Sequence, residues 1–255
     1  MDATAIARRA ISLLDLTELG DHATPEQVIH LCSRAVTAHG AVAAVCVWPR
    51  HVPLAVEQLW GTNVRVATVV NFPSGAEPVA DVVAATSQAI ADGADEIVLV
   101  LPYRSLAGGR RDLAAAMLDA VRAAVPTDSH RLKVILETGE LADSDLIREA
   151  ADLAVAHGAD FIKTSTGKTP HSASLDATEV MLGVIAGSSR AVGLKPSGGI
   201  RTLADATAYL EQAGRVMGAE WATPATFRFG ASGLLDALLA ALDGATPDGR
   251  HEGGY

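Results

Sequence analysis

A chain of 255 residues with 49% hydrophobic and 20% charged residues can bury a core of ordinary size, which excludes a wholly disordered protein. The net charge of -10 and the scattered arginines argue against a nucleic-acid partner, since phosphate contacts need clustered Lys and Arg, while a small anionic substrate stays compatible with a local basic pocket. Two cysteines without a CxxC, no apolar run of signal-peptide length near the start and no membrane-length apolar stretch together predict a reducing, cytoplasmic setting with no membrane partner.

Along the chain, short runs rich in Val and Ile alternate with Ala-rich stretches of helical period. A helix is expected over 25–39, then strands over 42–48 and 64–71. A helix over 78–92 leads to a strand at 96–101, one over 112–125 to a strand at 132–137, and one over 144–157 to a strand at 161–164. Helix 176–186 precedes a strand at 191–195. Helix 202–212, two weaker strands near 216–219 and 227–230, and a closing helix over 234–242 complete the series. Three segments, "HGAVA", "DGADE" and "HGADF", place Gly just before a strand, which suits the left-handed position after a helix end. Eight strands in one chain of this length predict an α/β fold, a single-domain TIM (β/α)8 barrel over residues 1–243, with 244–255 as a flexible C-terminal tail. A doubly wound open sheet is the rival, but no GxGxxG follows the first strand.

Only four of the 20 basic residues are lysines: Lys133, Lys163, Lys168 and Lys195. A chain that writes Arg wherever a fixed charge suffices makes its lysines candidates for amine chemistry. Barrel enzymes work at the carboxyl ends of their strands, where Cys46, Asn71, Tyr103, Glu137, Lys163 and Lys195 fall. Lys163 and Lys195 end successive strands and could meet at the axis. Burial and a neighbouring ammonium would both lower an amine pKa, which points to Schiff-base formation with a carbonyl compound. The competing reading pairs Lys163 with a buried carboxylate such as Glu137. "TGKT" fails as a nucleotide-binding loop, because Ile162 stands where that loop needs Gly. Lys168 is read as a loop cation facing the substrate, or else as an exposed surface lysine. "KPSGGIRT" and "FGASGLL" are glycine turns before helices and can cradle a phosphate. The eight histidines show no HxH or HExxH spacing, so no metal and no cofactor are expected. Cys46 reads best as a small buried hydrophobe.

"DLT", "CVWPR", "ATVVNFPSG", "KVILETGEL", "GADFIKTSTGK", "GLKPSGGIRT" and "RFGAS" follow one another as in the class I deoxyribose-phosphate aldolases, a family this sequence resembles from about Asp15 to Leu235. The resemblance implies a barrel that reversibly joins acetaldehyde to glyceraldehyde 3-phosphate, giving 2-deoxyribose 5-phosphate. It implies Lys163 as the Schiff-base lysine and Lys195 as the second lysine that lowers its pKa. Asp15, Thr17 and Lys168 would handle substrate hydroxyls, and Cys46 would line the pocket. Gly167, Gly198, Gly199, Ser232 and Gly233 would fall at the phosphate turns. Tyr255 would fold back to assist proton transfer, and a homodimer is implied because members are often dimers. One position departs: the family's relay aspartate falls on Val98, so Lys195 is expected to lose a counter-ion. A phosphosugar-binding barrel without turnover, or a lysine aldolase or transaldolase with another donor, is the alternative.

Overall fold

The computed structural model describes residues 2–244. Eight parallel strands form the barrel wall: β1 Leu14–Glu18, β2 Ala44–Val47, β3 Arg65–Val70, β4 Glu96–Val100, β5 Arg131–Ile135, β6 Phe161–Lys163, β7 Gly193–Lys195 and β8 Phe229–Ala231. From β1 to β7 each pairs with the next in chain order, and β8 pairs back onto β1. The seam between β7 and β8 is joined by two parallel bridges, Leu194 to Phe227 and Ser197 to Gly230. Closure removes both sheet edges, and it brings the carboxyl end of every strand to one mouth. The expected TIM barrel is therefore the observed fold.

Helices wrap the outside, and their starts carry the expected chemistry. Thr24 and Gln27 form a capping box with Pro25 at the first helical position of Pro25–Ser33. Thr202 and Asp205 do the same for Leu203–Met217, while Ser174 caps Leu175–Gly187. Gly93 and Gly158 follow helix ends at φ 100° and 93°, as read from their sequence context.

Helices Ala3–Ser12, Val52–Gln58, Tyr103–Ala107 and Thr138–Leu141 were not expected from the sequence, and three further elements differ from its reading. β1 was not expected, because "LDLTE" has too little Val and Ile to stand out, yet Leu14 and Leu16 are fully buried and Asp15 and Thr17 take the other face. The helix expected to reach residue 39 stops at Ser33, and a small hairpin of Val36–Thr37 and Gly40–Ala41 follows, so Gly40 serves that hairpin and not a helix end. The strand expected near 216–219 is the end of helix Leu203–Met217, whose apolar Val216 and Met217 pack against the core as helical residues.

Inside the barrel, bulk is balanced by glycine. A Cβ on Gly193 would lie 2.3 Å from the Phe161 ring, and one on Gly230 would lie 3.0 Å from Lys195 Cε. Two large inward side chains are thus admitted by two absent ones. Among the described residues no helix is long and apolar enough to cross a membrane.

Candidate active site

The barrel axis is charged at its base. Asp15 on β1 is fully buried. Its Oδ1 accepts from Arg228 Nη1 at 2.6 Å, and its Oδ2 accepts from Lys133 Nζ at 2.6 Å and Lys195 Nζ at 2.5 Å. Glu96 at the start of β4 completes a ring: its Oε1 accepts from Arg228 Nη2 at 3.0 Å, and its Oε2 lies 2.6 Å from Lys133 Nζ as an ion pair without hydrogen-bond geometry. Burial would push the Asp15 carboxyl up, but Lys133, Lys195 and Arg228 outweigh it and hold the group well below its ordinary value. The same contest ends with Glu96 lowered, through Lys133 and Arg228. The Lys133 ammonium and the Arg228 guanidinium also sit 5.2 and 5.6 Å from the Phe161 ring centre.

Above this base, Lys163 and Lys195 are register partners on β6 and β7. They therefore stand side by side on one face of the wall, as their spacing in the sequence predicted. Both are buried. Their surroundings differ sharply: Lys195 is bonded to Asp15, whereas no hydrogen bond or ion pair reaches Lys163 Nζ among the described residues. Burial first, and Lys195 second, push the Lys163 amine down to about 7, against weaker opposition from Cys46, Glu137 and Asp15. An amine with that pKa is half unprotonated at neutral pH.

Two expectations are corrected here. Lys195 has not lost a counter-ion at Val98, because Asp15 supplies one. Lys163 does not pair with Glu137: that carboxylate accepts instead from the Thr166 N–H, at 3.2 and 3.3 Å, and from Thr169 Oγ1 at 3.4 Å. Glu137, itself in the left-handed region at φ 58°, ties down the loop after β6 that carries Gly167 and Lys168. Val98 is fully buried on the face of β4 that Glu96 occupies two residues earlier.

A cavity of about 360 Å³ opens at the carboxyl ends of the strands; its lining includes Thr166 and Ser197, which follow the two lysines in the chain, but neither lysine itself. Thr17 and Lys168 line one side, with Gly167 beside them. Gly198, Gly199, Ser232 and Gly233 line the other. Gly167, Gly198 and Gly199 have φ of 79°, 87° and 81°, the left-handed region that glycine adopts without strain, and the Gly198 N–H donates to Gly230 O at 3.4 Å. Gly233 is the N-cap of helix Leu234–Leu242, so that helix start faces the same space. The other turn differs in detail: its helix begins at Leu203, beyond the Gly198–Gly199 pair. Ser232 Oγ donates to Thr17 O at 2.9 Å and joins the two walls. Lys168 Nζ donates to Asp21 Oδ1 at 2.7 Å.

Five predicted site residues are not part of that lining. Asp15, Cys46, Lys163 and Lys195 are buried and do not line it; burial pushes the Cys46 thiol up. Tyr255 and the expected tail beyond Gly244 lie outside the described residues. Asn71 and Tyr103, noted only as strand-end residues, are structural. Asn71 donates to Val100 O and accepts from the Glu77 N–H, and Tyr103 is buried at a helix start. Sequence reasoning passed over Glu96 and Arg228, which sit at the amino ends of strands. The signal available was an acid and a base inside otherwise apolar runs. Among the described residues no group of three His, Cys, Asp or Glu side chains is placed to hold a metal ion.

A poised amine at the carboxyl end of a β/α barrel, near a mouth lined by glycine turns and a helix start, defines a barrel that works on small carbonyl compounds bearing an anionic group. The comparisons with known proteins agree. The pattern described as DeoC/LacD family aldolase matches residues 9–239, and the chain belongs to that family. It is similar to a deoxyribose-phosphate aldolase of Agrobacterium fabrum, with 53% identity over 94% of this chain and 93% of that protein. Among solved structures, one from Coccidioides immitis, provisionally named a deoxyribose-phosphate aldolase, shares 32% identity over 94% and 86% of the two chains at a TM-score of 0.79. A tetrameric deoxyribose phosphate aldolase from Aeropyrum pernix shares the fold at a TM-score of 0.70, with 23% identity over 94% and 92% of the chains.

Proposed function

We propose that this chain is a cofactor-free class I aldolase that reversibly cleaves 2-deoxyribose 5-phosphate to acetaldehyde and glyceraldehyde 3-phosphate. The observation that carries the reading is Lys163, a buried amine with no hydrogen-bond or ion-pair partner among the described residues and a pKa of about 7, beside Lys195. Its free form attacks C1 of the open-chain sugar, and loss of water leaves an iminium ion. The C3 hydroxyl then gives up its proton as the C2–C3 bond breaks, and the bonding pair moves into the iminium to form an enamine. Glyceraldehyde 3-phosphate departs. Protonation of the enamine carbon and addition of water release acetaldehyde and return the amine.

Lys195, held by Asp15, is the charged neighbour that keeps the amine free and the nearest proton carrier for these steps. The backbone N–H groups of Gly167, Gly199 and Gly233 suit the phosphate, with Gly198 and Ser232 beside them. Thr17 and Lys168 suit the sugar hydroxyls. A cytoplasmic setting belongs to the same reading, supported by Cys32 and Cys46, both free and buried. So does association with further copies, as the Aeropyrum pernix protein associates.

Borohydride trapping tests the proposal. Acetaldehyde with borohydride is expected to leave a stable two-carbon adduct on Lys163, read by peptide mass spectrometry, and none on a Lys163→Met variant. An unchanged mass rejects the amine mechanism. A trapped amine without cleavage of 2-deoxyribose 5-phosphate would instead favour a binding barrel that lacks turnover.

A further inference from the structure

Asp15, Arg228, Glu96 and Lys133 form a closed ring in which carboxylates and cations alternate. Two negative and two positive charges cancel within it, and Lys195 adds a third cation through Asp15 Oδ2. The Arg228 guanidinium forks across both carboxylates, and Lys133 bridges them from the other side. A fork of fixed geometry orients a carboxylate where a single charge would let it swivel. Neither Glu96 nor Arg228 lines the mouth cavity. They face a separate cavity of about 280 Å³ that also touches Phe161.

We propose that Glu96 and Arg228 are positioning residues of the aldol reaction: through the ring they fix the Asp15 carboxylate so that Oδ2 faces Lys195, and thereby set the charge that Lys163 meets. The inference rests on the aldolase reading above. The groups facing Lys163 are Lys195 on β7, Cys46 on β2, Asp15 on β1 and Glu137 after β5. Two of these four, Asp15 and Lys195, belong to or hang from the ring. An alternating ring also makes a signed prediction. Removing a carboxylate leaves the axis more positive and favours the neutral amine. Removing a cation does the reverse.

The experiment is the pH dependence of borohydride trapping of acetaldehyde at Lys163, alongside thermal unfolding. Glu96→Gln is expected to lower the midpoint by about half a pH unit, and Arg228→Met to raise it by about as much. The double variant Glu96→Gln/Arg228→Met should return it to the wild-type value. Shifts of the same sign, or no shift in folded variants, would overturn the proposal by showing a ring that only packs. Should a single variant fail to fold, Arg228→Lys decides. It keeps the charge but cannot fork across two carboxylates, so the midpoint should hold while kcat falls at least about tenfold with KM unchanged; an unaltered kcat overturns the positioning role. Failure of the wild type to trap any adduct would refute the aldolase reading itself, a different result from trapping without opposed shifts.

Discussion

Val98 is the residue at which the sequence left most in question, and its surroundings now decide what a substitution there does. It is fully buried on the inward face of β4, in register with Lys133 on β5. The charges nearby sum to one positive, since Asp15 and Glu96 face Lys133, Arg228 and Lys195. A carboxylate introduced by Val98→Asp would therefore be compensated and should be tolerated, while weakening the positive field at Lys163. The expected outcome is a folded protein whose trapping midpoint moves upward by about half a pH unit to one unit. Trapping across pH, with circular dichroism as the fold check, measures it; an unmoved midpoint would mean that position 98 does not share the Lys163 environment. Single residues were legible in the sequence wherever a rare type stood at a strand end, as Lys163 and Lys195 do. Glu96 and Arg228 were not, because their role comes from partners on other strands, with Arg228 lying 132 positions from Glu96 and 213 from Asp15. Asp15 was legible as a site residue, but not as the counter-ion of Lys195.

The glycine turns act as elements, and they separate the two ends of the site. Gly198 adopts φ 87°, and a Cβ there would stand 2.5 Å from Ser172 Oγ and 2.6 Å from Ser172 Cβ. Gly198→Ala is thus strained twice, in backbone and in space, and must displace the turn that faces the mouth cavity. Since that turn would hold the phosphate and not the reacting carbonyl, KM for 2-deoxyribose 5-phosphate should rise about tenfold or more, whereas trapping of acetaldehyde should change by less than about twofold. Steady-state kinetics beside trapping reads the split; equal losses in both would place the turn at the reacting centre. Strand-by-strand alternation made most elements readable, but β1 escaped. Its outward face carries Leu14 and Leu16 where other strands carry Val and Ile, and Asp15 and Thr17 stand inward, so it did not stand out among Val- and Ile-rich runs. The false strand near 216–219 is the opposite case, an apolar helix end whose tertiary contacts favour the helix.

At the scale of the whole molecule, a poised amine is a cost to the fold. In the unfolded chain a lysine titrates near ~10.4; Lys163 in the barrel titrates at about 7. Below pH 7 both states hold the proton, and the penalty for burying that charge is fully present. Between about 7 and 10 the unfolded chain binds one proton more than the folded one, so stability gains ~1.4 kcal/mol per pH unit from this group. Asp15 and Glu96 act at the other end of the scale. Their folded pKa values are depressed, so their contribution is present above the ordinary carboxylate range and lost as acid protonates them, leaving Lys133, Lys195 and Arg228 unbalanced. Removing the amine should uncover the upper slope. Lys163→Met is expected to be more stable than the wild type at pH 6, by about 4 kcal/mol, with the gap closing by pH 10. Urea unfolding at pH 6, 8 and 10 measures it. A constant difference would mean that Lys163 keeps its proton in the barrel across this range, which would remove the neutral nucleophile on which the chemistry depends.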